Sequence, residues 1–218
     1  MVLNKIHIPC SHSILSFCDS CKIRKLHELP FANCPITAKK PLELVYSDLW
    51  GPSPTLFVEG YRYYIVFVDA YTRYTWLYPL KLKSDALSTF VTFHKLAKTQ
   101  FQNKIQALQT DNGGEFTIFL PYFHNSVIQP QFTCPYIHQQ NGGAERKYRH
   151  IAEIGLTLLS HANMPLKFWV ETFQTTVYTI NFLPSSPLKF KTPFELLYHR
   201  QPNYLMLQPF GCDCFPHL

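Results

Sequence analysis

Charged side chains are scarce in this sequence, and their scarcity limits the kind of surface that the protein presents. They make up 16% of the 218 residues, whereas about 25% is usual for a soluble protein. A low charged fraction predicts a well-buried core and an adhesive surface, which suits one segment of a larger polyprotein. The length allows one substantial α/β domain together with a small additional piece.

Long apolar runs and a signal peptide are absent as well. No stretch is apolar for long enough to cross a membrane, and the opening residues lack the apolar core of a secretory signal. The seven cysteines form an odd number, which argues against a disulfide framework. We therefore expect an intracellular, reduced protein without membrane contact. The net charge of +6 fits an anionic partner such as nucleic acid, but alone it is weak support.

Alternating apolar residues and aromatic runs predict the strands of a mixed sheet. The predicted strands are residues 42–50, 61–72, 74–81 and 105–111. The second and third are separated only by Arg73, which indicates a tight hairpin. Apolar residues at helical spacing predict a helix over 84–100, with Ser84 as its N-cap. A strand, a helix and a strand in this order indicate a crossover connection onto a mixed sheet.

Two further helices are predicted in the second half of the chain. One begins at Asn141, where apolar residues recur every three or four positions. The next is opened by Pro165, because proline is tolerated at the first helical position, and it ends at residues 183–187. The tail, residues 188–218, is predicted to contain a short helix and loops.

Three acidic residues stand where rigid elements would hold them. Asp48 lies inside the first predicted strand, Asp111 ends the last one, and Glu145 lies in the first turn of the helix after Asn141. Two adjacent strands and a helix end can bring three carboxylates together, and a divalent cation would relieve their repulsion. The alternative is local: Asp48 caps a turn, Asp111 forms an Asx-turn, and Glu145 stabilises its helix dipole.

The segments around these acids resemble one known family. In chain order they are SDLWGPSP (47–54), YYIVFVDAYTRYTWLYPLKLKS (63–84), TDNGGEF (110–116), CPYIHQQNGGAERKYRHI (134–151) and PLKFWVETFQTTVYTINFLPSSPL (165–188). Together they resemble the integrase of copia-type LTR retrotransposons, particularly those of plants. The tail after residue 191 is similar to the segment that follows the catalytic core in that family, so the resemblance covers nearly the whole chain.

This resemblance implies a fold, a reaction and partners. The implied fold is an RNase H-like mixed five-stranded sheet flanked by helices. Asp48, Asp111 and Glu145 match the D-D-E motif that holds Mg²⁺ or Mn²⁺. The implied reaction is 3′ processing of the element's DNA ends followed by strand transfer into target DNA, through in-line attack of a hydroxyl on a phosphodiester. The implied partners are double-stranded DNA and further copies of the chain, and the implied location is the nucleus.

The resemblance also divides the chain into three parts. Residues 1–40 would be a truncated zinc-binding segment, 41–164 the catalytic core, and 165–218 a helical extension. Cys18 and Cys21 form half of a tetrahedral zinc site, and the histidine pair that the family places upstream is missing. A zinc-knuckle remnant without metal is the alternative, because two thiolates alone bind zinc poorly.

Polar and basic residues surround Glu145. Gln139, Gln140 and Asn141 precede it, and Arg146, Lys147 and Arg149 follow it and fan around the helix. We expect these residues to contact DNA, the cationic ones through phosphates. The alternatives are a turn with a helix cap for the first three and a solvated helix face for the others.

Several departures from the family pattern lie between Asp111 and Glu145. The segment 117–131 is shortened, and Pro121 and Pro130 are expected to break the short helix and the strand that belong there. Gly143 weakens the start of the helix that carries Glu145. These departures predict that the fold survives and that catalysis is weak. Two rival functions follow: a catalytically silent nucleic-acid-binding remnant or domesticated host protein, and a nuclease that cuts RNA in hybrids.

Overall fold

The structure is a computed structural model, and it describes residues 38–55, 57, 59–111, 113–132 and 142–212, with residues 142–145 described in their backbone only. Cys18 and Cys21 lie outside the described residues, so the zinc site and the three-part division of the chain stay predictions. Among the described residues, no helix combines the length and the hydropathy that a membrane span requires.

Five strands and six α-helices alternate along the described chain. In order they are β1 (Leu44–Trp50), β2 (Tyr63–Asp69), β3 (Thr75–Leu80), α1 (Ala86–Phe101), β4 (Ala107–Thr110), α2 (Gly114–Thr117), α3 (Leu120–Ser126), β5 (Gln129–Phe132), α4 (Gly142–His161), α5 (Trp169–Phe182) and α6 (Pro193–Tyr198). Short 3₁₀ turns precede α1, α5 and α6, and another lies in the tail.

The strands form one mixed sheet in the order β3-β2-β1-β4-β5. The first three strands pair antiparallel, whereas β4 and β5 run parallel to β1. Parallel neighbours need a crossover, and α1 supplies it between β3 and β4. The predicted mixed five-stranded sheet flanked by helices is therefore confirmed.

Strand β2 is buried on both faces, and its alternating side chains define two separate cores. Ile65 and Phe67 point to one face, where Phe67 stacks on Phe93 of α1 with ring centroids 4.4 Å apart. Tyr64 points to the other face, where α4 and α5 pack. The aromatic richness of this region therefore serves core and cross-strand packing.

Helices α4 and α5 pack closely because α4 has no side chain at one position. A Cβ atom added to Gly155 would lie 2.4 Å from ring atom Cδ1 of Phe173 on α5. A separation this short is a clash, so Gly155 lets the two helices approach each other. This contact fixes the position of α4 over the second core.

Both prolines of the segment 117–131 fit regular elements, so the prediction that they break a helix and a strand is wrong. Pro121 occupies the first turn of α3, where no intrahelical N–H bond is lost. Pro130 lies in β5 at the sheet edge. The N–H of Gln129 donates to the carbonyl of Gln106 on the β4 side, so the nitrogen of the next residue points away from the sheet and needs no donor hydrogen.

Two further local predictions need correction. Ser84 is not an N-cap: it lies within a 3₁₀ turn, Lys83–Asp85, and α1 follows with Asp85 as its N-cap. The hairpin is also longer than expected, since the connection between β2 and β3 has five residues, 70–74, rather than Arg73 alone. A buried side chain organises this connection, and sequence spacing does not reveal it.

Asp69 is that buried side chain. It ends β2 and has no exposed surface. Its two carboxylate oxygens accept bonds from the N–H of Leu42 at 2.8 Å and from the N–H and hydroxyl of Thr72 at 2.9 and 2.6 Å. Burial raises its pKa, while these bonds oppose the rise. One carboxylate thereby holds both the hairpin and the start of β1.

Replacing Asp69 with asparagine is expected to destabilise the fold by about 2 kcal/mol, because an amide NH₂ would face donors that it cannot bond. Urea unfolding measures the change. Glu59→Gln is the matched control, since Glu59 is exposed and makes the same change of charge and shape. Equal stability of the two variants would contradict the role given to Asp69.

Candidate active site at the ends of the central strands

Asp48 lies near the end of the central strand β1. Its side chain is half-buried, and its Oδ1 accepts the N–H of Leu49 at 2.9 Å. The strand pairs with β2 on one side and β4 on the other, so its backbone is held from both directions. The predicted position of Asp48 inside the first strand is confirmed.

Asp111 follows directly after β4 and is level with Asp48. The parallel register pairs Leu44 with Ala107 and Tyr46 with Gln109, and the same offset aligns Asp48 with Asp111. Adjacent strands lie about 4.8 Å apart. The sheet therefore aligns the two predicted aspartates at the same end of neighbouring strands.

Helix α4 approaches the same end of these strands and is tied to β1 by Tyr148. The Tyr148 hydroxyl donates a hydrogen bond to the main-chain carbonyl of Asp48. Burial raises its pKa well above the usual value, and the charges of Asp48 and Asp111 raise it further. Both carboxylates are thus near this hydroxyl. Glu145 lies one helical turn earlier, in the first turn of α4, so its backbone is at the same end of the sheet.

The surroundings of Asp111 are crowded with charge. Burial raises the pKa of its carboxyl, and the neighbouring Glu115 raises it further, whereas Lys83 lowers it. Lys83 Nζ lies 3.4 Å from Glu115 Oε1. A Cβ added to Gly113 would lie 2.9 Å from Glu115 Cδ and 3.1 Å from Asp111 Oδ1. The glycine turn after β4 therefore leaves room for two carboxylates side by side.

This donor set fits a hard divalent cation. Carboxylate oxygens on rigid elements are the ligands that Mg²⁺ prefers. Burial, and then the charge of Glu115, disfavour the ionised carboxylate of Asp111 and raise its pKa, and a bound cation would offset that cost. Within the described residues no group of three or more potential ligands forms. The side chain of Glu145, the third predicted ligand, is not among them.

The predicted DNA-contacting residues separate into two groups. Gln139, Gln140 and Asn141 lie outside the described residues. The basic residues all lie on α4, where Arg146 and Arg149 are exposed and Lys147 is half-buried. Burial, and then the neighbouring Arg73, lower the pKa of Lys147 to about 8. Arg146 and Lys147 line a groove together, and Arg149 is not part of its lining.

Three contributors to this region were not assigned from the sequence. Tyr148 lies three residues after Glu145, and this spacing is a signal for a position beside the site. Glu115 lies four residues after Asp111, and no pattern in the sequence assigns it a role. Arg73 separates two predicted strands, and no sequence signal places it next to α4.

Comparison with known proteins agrees with this geometry. Residues 38–138 match the family model described as Integrase core domain. The chain is 49% identical over 208 residues to a retrovirus-related Pol polyprotein from transposon RE2 of Arabidopsis thaliana, and 36% identical over 203 residues to one from transposon TNT 1-94 of Nicotiana tabacum. These matches cover 95% and 92% of the chain but only 14% and 15% of the relatives' length.

Solved structures show the same fold. A chain of the simian T-cell lymphotropic virus intasome, in complex with PP2A regulatory subunit B56 gamma, matches with a TM-score of 0.58 at 20% identity, covering 83% of this chain and 60% of that chain. The HTLV-2 integrase catalytic core domain, in complex with magnesium and in a trimeric form, matches with a TM-score of 0.54 at 18% identity, covering 73% and 99%.

The fold is therefore that of a retroviral-type integrase catalytic core, with an RNase H-like sheet. The higher identities come from the retrotransposon polyproteins. The chain belongs to the integrase family of copia-type LTR retrotransposons.

Tyr148→Phe is expected to lower the free energy of unfolding by about 1 kcal/mol, because the carbonyl of Asp48 loses its donor while the ring contacts remain. Urea unfolding measures this loss. Tyr71→Phe is the control, since the Tyr71 side chain is exposed. If both variants unfold at the same urea concentration as the parent chain, the tether between α4 and β1 contributes nothing to stability.

Proposed function

We propose that this chain is the part of a retrotransposon integrase that performs metal-dependent DNA 3′ processing and strand transfer. The observation that carries the proposal is the alignment of Asp48 with Asp111 on adjacent parallel strands, with the helix that carries Glu145 tied to the same strand through Tyr148. The family membership supports the same reaction class.

In this proposal Asp48, Asp111 and Glu145 hold Mg²⁺ or Mn²⁺. Such ions, when bound, activate an attacking water or hydroxyl and neutralise the leaving oxygen of the phosphodiester. The protein's own contribution is rigidity: the two aspartates are fixed by paired strands, and the glycine turn after Asp111 leaves space for a DNA backbone. The magnesium named for the HTLV-2 core supports this choice of cation.

We further propose double-stranded DNA and other copies of this chain as partners. The solved neighbours include a viral intasome, and the HTLV-2 core is named in both a trimeric and a dimeric form. The proposed DNA contacts flank Glu145 in the chain, and they are Gln139, Gln140, Asn141, Arg146, Lys147 and Arg149. An active copy would work in the nucleus, where target DNA is.

One argument for a rival function is removed by the structure, and both rival functions can still be tested. A silent remnant was favoured by the expected disruption of the segment 117–131, but α3 and β5 both form there with their prolines accommodated. Weak catalysis therefore has no support from that segment. A nuclease acting on RNA in hybrids remains distinguishable by substrate.

Glu145→Gln is expected to reduce strand transfer at least about 100-fold, because it removes a charge from the proposed metal site while keeping the side-chain shape. The assay joins labelled duplex ends to a plasmid in Mg²⁺ or Mn²⁺. Glu171→Gln is the matched control, since Glu171 is exposed on α5. Equal joining by both variants would show that the activity does not use this site. Cleavage of an RNA–DNA hybrid without joining of DNA would support the nuclease instead.

Asp111→Asn is expected to raise the melting temperature slightly without added metal, because it removes a carboxylate that burial and Glu115 disfavour in the folded state. The raised pKa means that the ionised carboxylate destabilises the fold at neutral pH, and the amide relieves that cost. With Mg²⁺ the parent chain is expected to have the higher melting temperature, since only the parent chain gains stability by binding the ion. Thermal melts without Mg²⁺ and at Mg²⁺ concentrations raised in 10-fold steps test this. A parent chain whose melting temperature does not change with Mg²⁺ would favour the silent remnant.

A further inference from the structure

A groove of about 510 Å³ lies beside α4, and neither Asp48 nor Asp111 is among its lining residues. One wall is cationic and consists of Arg73 from the β2–β3 connection and Arg146, Lys147 and His150 from α4. The other wall is formed by the end of α5 and the segment after it, with Ile180, Leu183 and three prolines. A volume of this size is ordinary for a ligand site.

The cations of this groove have no compensating carboxylate among the described residues. The ion pairs found in that part of the chain join Lys83 to Glu115 and Lys191 to Glu195, and both lie outside the groove. Glu153 is an acid near His150. Four basic residues therefore line this groove, and none of them takes part in an ion pair between described residues.

Burial makes this concentration costly. Lys147 and Arg73 are half-buried, whereas Arg146 and His150 are exposed. Arg73 and Lys147 are both cationic, and both line this groove. An anion placed between them would relieve both the repulsion and the loss of hydration.

The form of the groove favours a phosphate over a carboxylate. Its donors come from two separate elements, and a tetrahedral phosphate accepts hydrogen bonds from several directions at once. Two guanidinium groups offer paired N–H donors that match phosphate oxygens. The apolar lining suits the carbon face of a deoxyribose.

We propose that this groove binds a backbone phosphate of DNA, away from the bond that is cut. The proposal rests on the proposed function and adds Arg73 and His150 to the DNA-contacting residues. Arg146 directly follows Glu145 on α4, so a duplex whose scissile phosphate is at the aspartates extends past this helix. The groove then fixes the direction in which the duplex leaves the site.

The test measures duplex affinity of the full chain as a function of salt, using fluorescence anisotropy of a labelled 30-base-pair DNA. Arg73→Gln and Lys147→Gln are each expected to weaken binding about 5-fold at 0.1 M salt. Each lost phosphate contact should also reduce the slope of log K against log salt by about 0.9. Lys95→Gln on α1 is the control, because Lys95 is exposed and its variant makes the same charge change. Thermal melts confirm that each variant is folded.

Specific outcomes overturn the proposal. The proposal is contradicted if the groove variants bind DNA as tightly as the parent chain does, or if they lose no more DNA affinity than Lys95→Gln loses. If inorganic phosphate raises the melting temperature of the parent chain and the variants leave DNA affinity unchanged, the groove binds free phosphate rather than DNA. A Glu- and Leu-containing acidic peptide that binds in place of DNA assigns it to a protein partner.

The same measurement separates this inference from the proposed function. Binding is measured in a Glu145→Gln background, so it does not depend on catalysis. A chain that binds DNA equally with and without the groove cations contradicts the groove alone. A chain that binds no DNA contradicts both, and a chain that binds DNA through the groove but never joins ends contradicts only the reaction.

Discussion

The parallel pairing of β1 with β4 is the constraint on which the site depends. Its register makes Asp48 level with Asp111, and a slip of one residue would turn one carboxylate to the opposite face of the sheet. The register is fixed from outside the site, because Leu44 and Leu108 are both buried. Apolar packing at the strands' beginnings therefore determines carboxylate geometry at their ends.

The two cores on either side of the sheet have different structural roles. One core, built around Phe67 and the aromatic residues of α1, makes the sheet rigid. The other holds α4 and α5, and Gly155 lets these helices meet closely. Tyr148 belongs to this second core and also reaches Asp48, so the packing of α4 and the position of the site are coupled through one side chain.

Sequence pattern predicted four of the five strands, the helix between β3 and β4 and the places of Asp48 and Asp111, because strand periodicity and turn residues are local signals. The fifth strand was implied only by the resemblance to the integrase family. Sequence pattern misjudged Pro121 and Pro130, because their tolerance depends on position within a helix and a sheet rather than on residue type. It also missed Asp69 as the organiser of a five-residue hairpin. Contacts between distant segments, such as Arg73 beside α4, leave no periodic trace in a single sequence.

The proline in β5 has a consequence for assembly. In the described sheet β5 is one of the two outer strands, and Pro130 presents no N–H along its free side. A strand from another molecule would lose a ladder bond there, so this border resists continuation of the sheet between copies. The proline therefore discourages the stacking of further strands along this border of the sheet.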